Sequence, residues 1–208
     1  MIDLTHLFTQ PSVPDHIQTA SLAINSINNA FLSMPPRSGK TSLAVSYAKS
    51  LTAAGKKVLY VTYSRILAET LCRGCGCDAV GLGAVPIEIG TGYDTIIADD
   101  VLRNALEANN EIVVTKAITW FDSILMSSAC KPETRIILIG SRWHKNDFMG
   151  RCKKTGEWNF LLTPAIFRDK TGSECSYWPE QYPLEDLEKI RQSITADDFK
   201  WLYQQGAA

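Results

Sequence analysis

Short apolar runs alternate along the chain with longer segments of helical periodicity. The apolar runs are rich in β-branched and aromatic residues, which is typical of strands. Strands are predicted over 29–33, 57–63, 93–100, 135–140 and 158–162. The run over 135–140 is almost entirely apolar, as expected for a central parallel strand that is buried on both faces. From Val114 to Leu125, apolar residues recur every three or four positions, which predicts a helix with one buried face.

The order of these elements predicts the fold class. Further helices are predicted from Asp15 to Ile27, over 41–54, where Gly55 closes the helix, and from Ser64 to Leu71. Strands that alternate with helices predict an α/β protein with three layers and a mostly parallel central sheet. In such sheets, ligands bind at the carboxyl ends of the strands.

Two regions are less regular. Residues 72–92 contain six glycines, which predicts turns with a short strand over 85–89. Residues 184–205 predict two short helices separated near 193–195. A single domain over 1–208 is expected, in three parts: an N-terminal lead-in over 1–28, a core over 29–165 and a C-terminal helical segment over 166–208.

Composition places the chain among ordinary globular proteins. Of its 208 residues, 45% are hydrophobic and 21% are charged. The net charge of −1 provides no overall basic field for nucleic acid, although another domain or subunit could hold it. No apolar run reaches the roughly 20 residues that span a bilayer. The N-terminus lacks the features of a signal peptide, so a reducing, cytoplasmic location is expected.

A Gly-Lys-Thr tripeptide between the first strand and the following helix indicates a nucleotide-phosphate loop. Backbone N–H groups of such a loop converge on phosphates, Lys40 would reach the β- and γ-phosphates, and the Thr41 hydroxyl would hold Mg²⁺. The pattern G-x-x-x-x-G-K-[ST] has glycine where this chain has Met34. The candidate nucleotide-binding residues of the loop are Pro36, Arg37, Ser38, Gly39, Lys40, Thr41 and Ser42.

Two acids follow the strand over 93–100. Asp99 would hold the metal, directly or through water, and Asp100 would orient the attacking water. A solvated turn is the alternative interpretation of this acid pair. An additional strand, over 57–63, separates the two nucleotide motifs and is typical of motor-type ATPases with the P-loop NTPase fold.

The cysteines offer a different interpretation. Cys72, Cys75 and Cys77 have a spacing at which thiolates can bind Zn²⁺. A structural zinc site needs four ligands, and no second pair follows. Free thiols are therefore the favoured interpretation.

A third motif, Gly140-Ser141-Arg142-Trp143-His144-Lys145-Asn146-Asp147-Phe148-Met149-Gly150-Arg151, follows the strand over 135–140. It resembles the coupling segment of large terminase subunits, the ATPases that pump DNA into tailed-phage capsids. Their pattern is T-R-W-H, two variable residues, then D-L-x-G-R, from which only Ser141 and Phe148 depart. The loop over 34–40, the acid pair and the closing Tyr203-Gln204-Gln205 also resemble this family. The resemblance covers about residues 16–205.

The resemblance implies roles for further residues. Arg37 would sense or stabilise the γ-phosphate, and Ser141 and Arg142 would lie close to it. Gln18 would recognise adenine, the alternative being a surface residue. Asp100 stands where the family carries its catalytic carboxylate, and its short side chain leaves Glu107 or Glu111 as possible substitutes.

The resemblance also implies a function. It predicts Mg²⁺-dependent ATP hydrolysis that drives double-stranded viral DNA into a procapsid. The implied partners are the portal protein, the small terminase subunit and further copies of the chain in a ring, in the cytoplasm of an infected host and without a membrane. We expect no nuclease activity, because no cluster of metal-binding acids follows Asp147 on strand ends. Either a truncated chain or a naturally nuclease-free motor would explain this. A helicase-like translocase and a non-hydrolysing nucleotide-dependent docking module are the alternatives.

Overall fold

We describe a computed structural model of the chain, which covers residues 14–25, 29–84, 92–125, 127, 130–154 and 158–206. The strand expected over 85–89 lies outside the described residues. Within the described ranges, no helix has both the length and the apolar character needed to cross a bilayer.

The centre of the fold is a six-stranded sheet in which every pair of neighbours is parallel. Its strands are β1 Ala30–Ser33, β2 Val58–Thr62, β3 Asp78–Gly81, β4 Tyr93–Asp99, β5 Cys130–Gly140 and β6 Asn159–Leu162. The spatial order is β3-β2-β4-β5-β1-β6. Strands β1 and β2 are buried along their whole length, as expected where helices cover both faces. The predicted fold class, a three-layer P-loop NTPase fold, is confirmed.

The strand order determines how the two predicted motifs are placed. Along the chain, β2 separates the phosphate loop from the acid pair, but in the sheet the strand between β1 and β4 is β5. Ser33 is in register with Gly140, and Asp99 is in register with Ile139. The carboxyl ends of β1, β5 and β4 therefore meet at one edge of the sheet, and β2 flanks β4 on the far side.

Helices cover both faces of this sheet. They are α1 Asp15–Ile24, α2 Lys40–Ala53, α3 Arg65–Leu71, α4 Ala105–Ala108, α5 Glu111–Thr119 with its π-helical continuation Trp120–Leu125, and a short helix Phe148–Cys152. Leu32 of β1 belongs to the apolar core that includes residues of α1, α2 and α3. Its neighbour Phe31 faces the opposite way, into the core that includes α5 and Phe148. Because successive side chains of β1 face opposite sides of the sheet, this strand packs against the helices on both faces.

The C-terminal part has a small core of its own. It contains an antiparallel pair, β7 Ile166–Arg168 and β8 Glu174–Ser176, the helices Leu184–Ser193 and Ala196–Asp198, and a π-helical turn Phe199–Tyr203. Buried Tyr177, Leu187 and Phe199 pack together in this core. The two short helices agree with the sequence prediction. The hairpin is an addition to the purely helical segment expected over 166–208.

Two local features explain where the predictions of secondary structure failed. In the β7–β8 turn, the Asp169 carboxylate accepts hydrogen bonds from the backbone N–H groups of Thr171 and Ser173, which stabilises a tight turn without any apolar periodicity. In the region predicted as turns, the structure places β3. A side chain at Gly81 would lie 2.4 Å from the backbone nitrogen of Arg65, so glycine here permits close packing of β3 against α3.

Candidate nucleotide-binding site

The segment between β1 and α2 has the backbone shape of a phosphate loop. It reverses direction through two residues with left-handed backbone, Arg37 (φ 59°) and Gly39 (φ 88°). Gly39 caps α2, and a Cβ at this position would lie 3.3 Å from Ile17 Cδ1, so both conformation and space favour glycine. Helix α2 begins at Lys40, and its first turn supplies N–H groups that have no partner within the helix. These N–H groups, with the positive end of the helix dipole, favour an anion at the loop.

Lys40 is held inside this loop. Its side chain is only 5% exposed, and Nζ donates a hydrogen bond to the Pro35 carbonyl across 3.0 Å. The buried hydroxyl of Ser38 has no hydrogen-bond partner among the described residues. An ammonium group and a buried donor in one short loop are suited to phosphate oxygens. Pro36 is half-buried, whereas Arg37 and Ser42 are exposed at the surface of the same segment.

Asp99 lies fully buried at the carboxyl end of β4. Its Oδ2 accepts a hydrogen bond from the Tyr60 hydroxyl across 2.7 Å. Burial, followed by the charge of Asp100, raises the pKa of Asp99 to about 7, while Tyr60, Thr41 and Lys40 act to lower it. A carboxyl group that titrates near neutral pH in a buried site is characteristic of functional positions.

The residues around Asp99 fit a magnesium ion. Asp99 Oδ1 is buried and makes no hydrogen bond to any residue that the structure describes. The Thr41 hydroxyl lies beside this carboxylate, at the first turn of α2. Mg²⁺ prefers oxygen ligands and is commonly bound through one or two protein groups together with substrate phosphates. Asp99 and Thr41 would supply those protein oxygens.

Asp100 occupies a strained position at the tip of β4. Its φ of 41° is in the left-handed region, which is uncommon for a residue other than glycine. Its N–H donates to the Ile139 carbonyl (3.0 Å), and its Oδ1 accepts from the Ser141 N–H (3.1 Å). The Ser141 hydroxyl in turn donates to the Met34 carbonyl of the phosphate loop (3.0 Å). Asp100 is thereby fixed to the segment that follows β5, and that segment is fixed to the loop.

Arg142 lies close to this edge but is engaged elsewhere. Its side chain is 5% exposed, and Nε donates to both oxygens of Asp147, at 3.0 and 3.1 Å. The guanidinium also donates to the carbonyls of His144 and Lys145 and lies over the ring of Trp201, 5.1 Å from its centroid. Contact of Arg142 with a nucleotide therefore stays a prediction.

Asp147 organises this segment, a role that the sequence analysis did not assign. Its oxygens accept hydrogen bonds from the backbone N–H groups of Trp143 (2.6 Å), His144 (3.2 Å) and Gly150 (2.6 Å), in addition to those from Arg142. Asp147 also caps the helix Phe148–Cys152. Aspartate is a preferred N-cap residue, so its place directly before the run Phe148–Cys152 is the sequence signal that could have indicated this role.

The two glutamates considered as substitutes for Asp100 have other partners. Glu107 accepts a hydrogen bond from the Arg103 N–H (2.9 Å). Glu111 is 76% exposed and pairs with Arg151 on the surface of α5. Asp100 is therefore the carboxylate that the structure brings next to Asp99 and the loop.

A cavity of about 610 Å³ lies on the other side of the loop from these acids. It is bounded by α1, by the end of β6 and by the segment over 175–180, and Gln18 is among its lining residues. His16 joins this cavity to the loop, because its Nε2 lies 2.9 Å from the Ser38 carbonyl. The His16 ring packs against Tyr177 and Trp178, with centroids 4.9 and 5.1 Å apart.

The thiols of Cys72, Cys75 and Cys77 lie together at the end of α3. All three are free, and a hydrogen bond from Cys72 lowers the pKa of Cys77. In the described part of the chain, no three His, Cys, Asp or Glu side chains are grouped so that they could hold a metal.

Comparison with known proteins shows which solved structures share the fold of this chain. No protein-family model and no curated protein sequence matches the chain. Among solved structures, it is similar to a mutant of the large terminase ATPase domain of Thermus phage P74-26, with a TM-score of 0.60 and 13% identity over 96% of this chain and 94% of that one. It is also similar to the large terminase of another thermophilic bacteriophage, with a TM-score of 0.54 and 6% identity. That second match covers 94% of this chain and 53% of the other protein. The chain therefore has the fold of large terminase ATPase domains.

Proposed function

We propose that the protein is a Mg²⁺-dependent ATPase that drives double-stranded viral DNA into a procapsid. The observation that carries this proposal is the meeting of four side chains at one edge of the sheet. Lys40 and Thr41 begin α2, directly after the phosphate loop. Asp99 is the last residue of β4 and Asp100 follows it, and the end of β5 lies between the two pairs. This set of groups is the one that phosphoryl transfer requires.

The two sides of the loop suggest how ATP would be oriented. The acids lie on the β4 side, so the γ-phosphate and the metal would face that side. The cavity beside β6 would then receive the base, where Gln18 would recognise adenine and the ring of Trp178 offers an aromatic surface. The loop residues from Pro36 to Ser42 would surround the phosphates between these two regions.

Each group then has a defined task in hydrolysis. Thr41 and Asp99 would hold the metal, which when bound neutralises charge that develops on the phosphate oxygens. Lys40 would leave the Pro35 carbonyl and bind the β- and γ-phosphates. Asp100, fixed by the Ser141 N–H, would orient the attacking water in line with the γ-phosphate.

Two further cations are candidates for contact with the γ-phosphate. Arg37 is exposed in the loop and can turn toward a bound nucleotide. Arg142, with Ser141, follows the end of β5 and would report the presence of the γ-phosphate to the segment organised by Asp147. A cation near the equatorial oxygens would stabilise the charge of the transition state.

The packaging role rests on the fold and on the sequence pattern over 140–151. Large terminases are among the proteins that share this fold, and the Arg-Trp-His block is the most specific element of the family resemblance. The partners of such a role are double-stranded DNA, a portal protein, a small terminase subunit and further copies of the chain in a ring. It would act in the cytoplasm of the infected host.

The proposal is tested by phosphate release from ATP, with and without Mg²⁺ and double-stranded DNA, for the parent and for Asp100→Asn. We expect the variant to bind nucleotide as the parent does while its kcat falls by about two to four orders of magnitude. Nucleotide binding without hydrolysis in the parent would instead favour the docking module. An equal loss of binding and hydrolysis in Asp100→Asn would make Asp100 a metal ligand. Stimulation by single-stranded nucleic acid alone would favour a helicase-like translocase.

A further inference from the structure

Gln205 joins the C-terminal part of the chain to the carboxyl edge of the sheet. Gln205 is buried, with 1% exposure. Its Oε1 accepts a hydrogen bond from the Ser33 hydroxyl at the end of β1, across 2.6 Å. The same oxygen accepts from the Arg142 N–H across 3.3 Å. One amide oxygen thus holds together the strand that opens the phosphate loop and the segment that follows β5.

The backbone of Gln205 is shaped for this contact. Its φ of 55° is left-handed, and its Nε2 donates to the Leu202 carbonyl of the preceding turn. A left-handed residue other than glycine carries a conformational cost, which the surrounding contacts must offset. Gly206 follows with φ 76°, where any Cβ would lie 2.3 Å from the ring of Trp201. The turn is therefore built to direct the Gln205 amide toward the sheet.

The relationship with Asp100 follows from the two adjacent N–H groups. The Ser141 N–H donates to Asp100 Oδ1, and the next N–H along the chain, that of Arg142, donates to Gln205 Oε1. These two acceptors hold one short stretch of backbone from either side. If the Gln205 oxygen is removed, the buried Arg142 N–H and the Ser33 hydroxyl lose their acceptor, so this stretch is held less firmly, by the Ser141 bond to Met34 and the Arg142 bonds to Asp147. We expect the resulting shift of the Ser141–Arg142 peptide to weaken the hydrogen bond from the Ser141 N–H to Asp100.

We propose that Gln205 is a positioning residue for ATP hydrolysis, which fixes the peptide link between Ser141 and Arg142 so that the Ser141 N–H holds the Asp100 carboxylate. This inference rests on the proposed function. Gln205 makes its described hydrogen bonds to Ser33, Arg142 and Leu202 and none to Lys40 or Thr41. Its loss should therefore lower kcat and leave nucleotide affinity unchanged.

The adjacent Gln204 provides a matched control. Its Oε1 accepts from the Ile166 N–H and its Nε2 donates to the Ile166 carbonyl, both at 3.0 Å. Gln204 therefore also makes two backbone hydrogen bonds from the same turn, but it makes them to β7, away from the phosphate loop and the two acids. Methionine at either position has a similar length and removes the amide group.

The experiment compares Gln205→Met, Gln205→Glu and Gln204→Met with the parent. For Gln205→Met we expect kcat to fall about tenfold to a hundredfold, as expected for a misplaced catalytic group, with the nucleotide Kd within twofold. Gln205→Glu keeps an acceptor oxygen for Ser33 and Arg142 but loses the donor to the Leu202 carbonyl, so its kcat should lie between those of Gln205→Met and the parent. Gln204→Met should keep kcat within twofold. Equal falls of kcat in Gln204→Met and Gln205→Met, or a matching rise in Kd for Gln205→Met, would overturn the proposal.

Amide hydrogen exchange supplies a readout that needs no activity. In Gln205→Met, exchange at Ser141 and Arg142 should accelerate, whereas in Gln204→Met it should match the parent. Suppose that the parent hydrolyses ATP and that Gln205→Met exchanges faster at these residues but keeps the kcat of the parent. This result overturns the positioning role and leaves the proposed ATPase intact. Unchanged exchange at both residues overturns the structural link itself. A parent that binds ATP but does not hydrolyse it overturns the proposed function, and the positioning role with it.

Discussion

The Tyr60 hydroxyl donates a hydrogen bond to Asp99 Oδ2 across 2.7 Å, from β2 to the end of β4. This bond stabilises the ionised carboxylate in a fully buried position, where desolvation favours the protonated form. The two opposing influences leave Asp99 with a pKa of about 7. The protonation state of the proposed metal ligand therefore changes within the physiological pH range.

The first prediction concerns magnesium and pH. A proton and Mg²⁺ compete for the Asp99 carboxylate, so apparent Mg²⁺ affinity should fall by up to about tenfold for each pH unit below about 7. Above pH 8 it should be constant. The check is the half-saturating Mg²⁺ concentration for ATP hydrolysis at pH 6, 7, 8 and 9. The same value at pH 6 and pH 9 would contradict the assignment of Asp99 as a metal ligand.

The second prediction concerns Tyr60→Phe. Loss of the hydroxyl removes a hydrogen bond that lowers the pKa of Asp99, so that pKa should rise. The pH at which activity reaches half of its maximum should therefore move upward relative to the parent. Comparison of the two proteins at each pH cancels the titration of ATP itself. Tyr63→Phe is a suitable control because Tyr63 lies beyond the end of β2, where its ring contacts Arg103. A pH profile that moved equally in both variants would argue against a specific role for Tyr60.

The third prediction concerns stability. Because the pKa of Asp99 is raised in the folded protein, the folded state binds more protons than the unfolded state between about pH 4 and pH 7. The free energy of unfolding should therefore fall as pH rises through this window, by up to about 1.4 kcal/mol per unit. Asp99→Asn should lack this dependence and be more stable than the parent at pH 8. Urea denaturation at several pH values measures the free energy of unfolding of each protein, and the exposed substitution Asp197→Asn is the control.

Local motifs in the sequence could predict part of this site, whereas contacts between distant parts of the chain could not be predicted. Lys40 and Thr41 begin α2, and Asp99 and Asp100 lie at the end of β4, so two short local motifs were enough to indicate all four residues. The insertion of β5 between β1 and β4 could not be predicted, because it depends on which strands pair across the sheet. The supporting contacts are formed by residues that are far apart in the sequence. The hydrogen bond between Ser33 and Gln205, for example, joins residues 172 positions apart.

Local signals were also misread where a residue serves tertiary packing. The glycines over 72–92 predicted turns, yet Gly81 ends β3, where it allows α3 to approach closely. The family resemblance implies that Arg142 lies near the γ-phosphate, which stays a prediction, and in this structure its guanidinium is paired with Asp147. A basic side chain in a motif does not reveal whether its partner is a ligand or a carboxylate five residues away.

The fourth prediction compares two ion pairs of the same type. Asp147→Asn leaves the buried Arg142 guanidinium without its counter-charge and disturbs three backbone hydrogen bonds, so the free energy of unfolding should fall by about 3–5 kcal/mol. Glu111→Gln breaks the exposed pair with Arg151 and should change stability little. Urea denaturation of both variants at pH 8 is the measurement. Similar small effects in both would mean that the 142–147 segment is not held by this pair.

The last prediction separates nucleotide binding from folding at Lys40. In this structure the Lys40 ammonium makes one described hydrogen bond, to the Pro35 carbonyl, so Lys40→Ala should fold with a melting temperature close to that of the parent. The parent should be stabilised by Mg²⁺ and ATP, because a ligand that binds only the folded state raises its stability. Lys40→Ala should lose most of this stabilisation, since the phosphates lose their main cation. Lys49→Ala, at an exposed position of the same helix, should respond to nucleotide as the parent does. A full thermal shift in Lys40→Ala would mean that ATP does not bind at this loop.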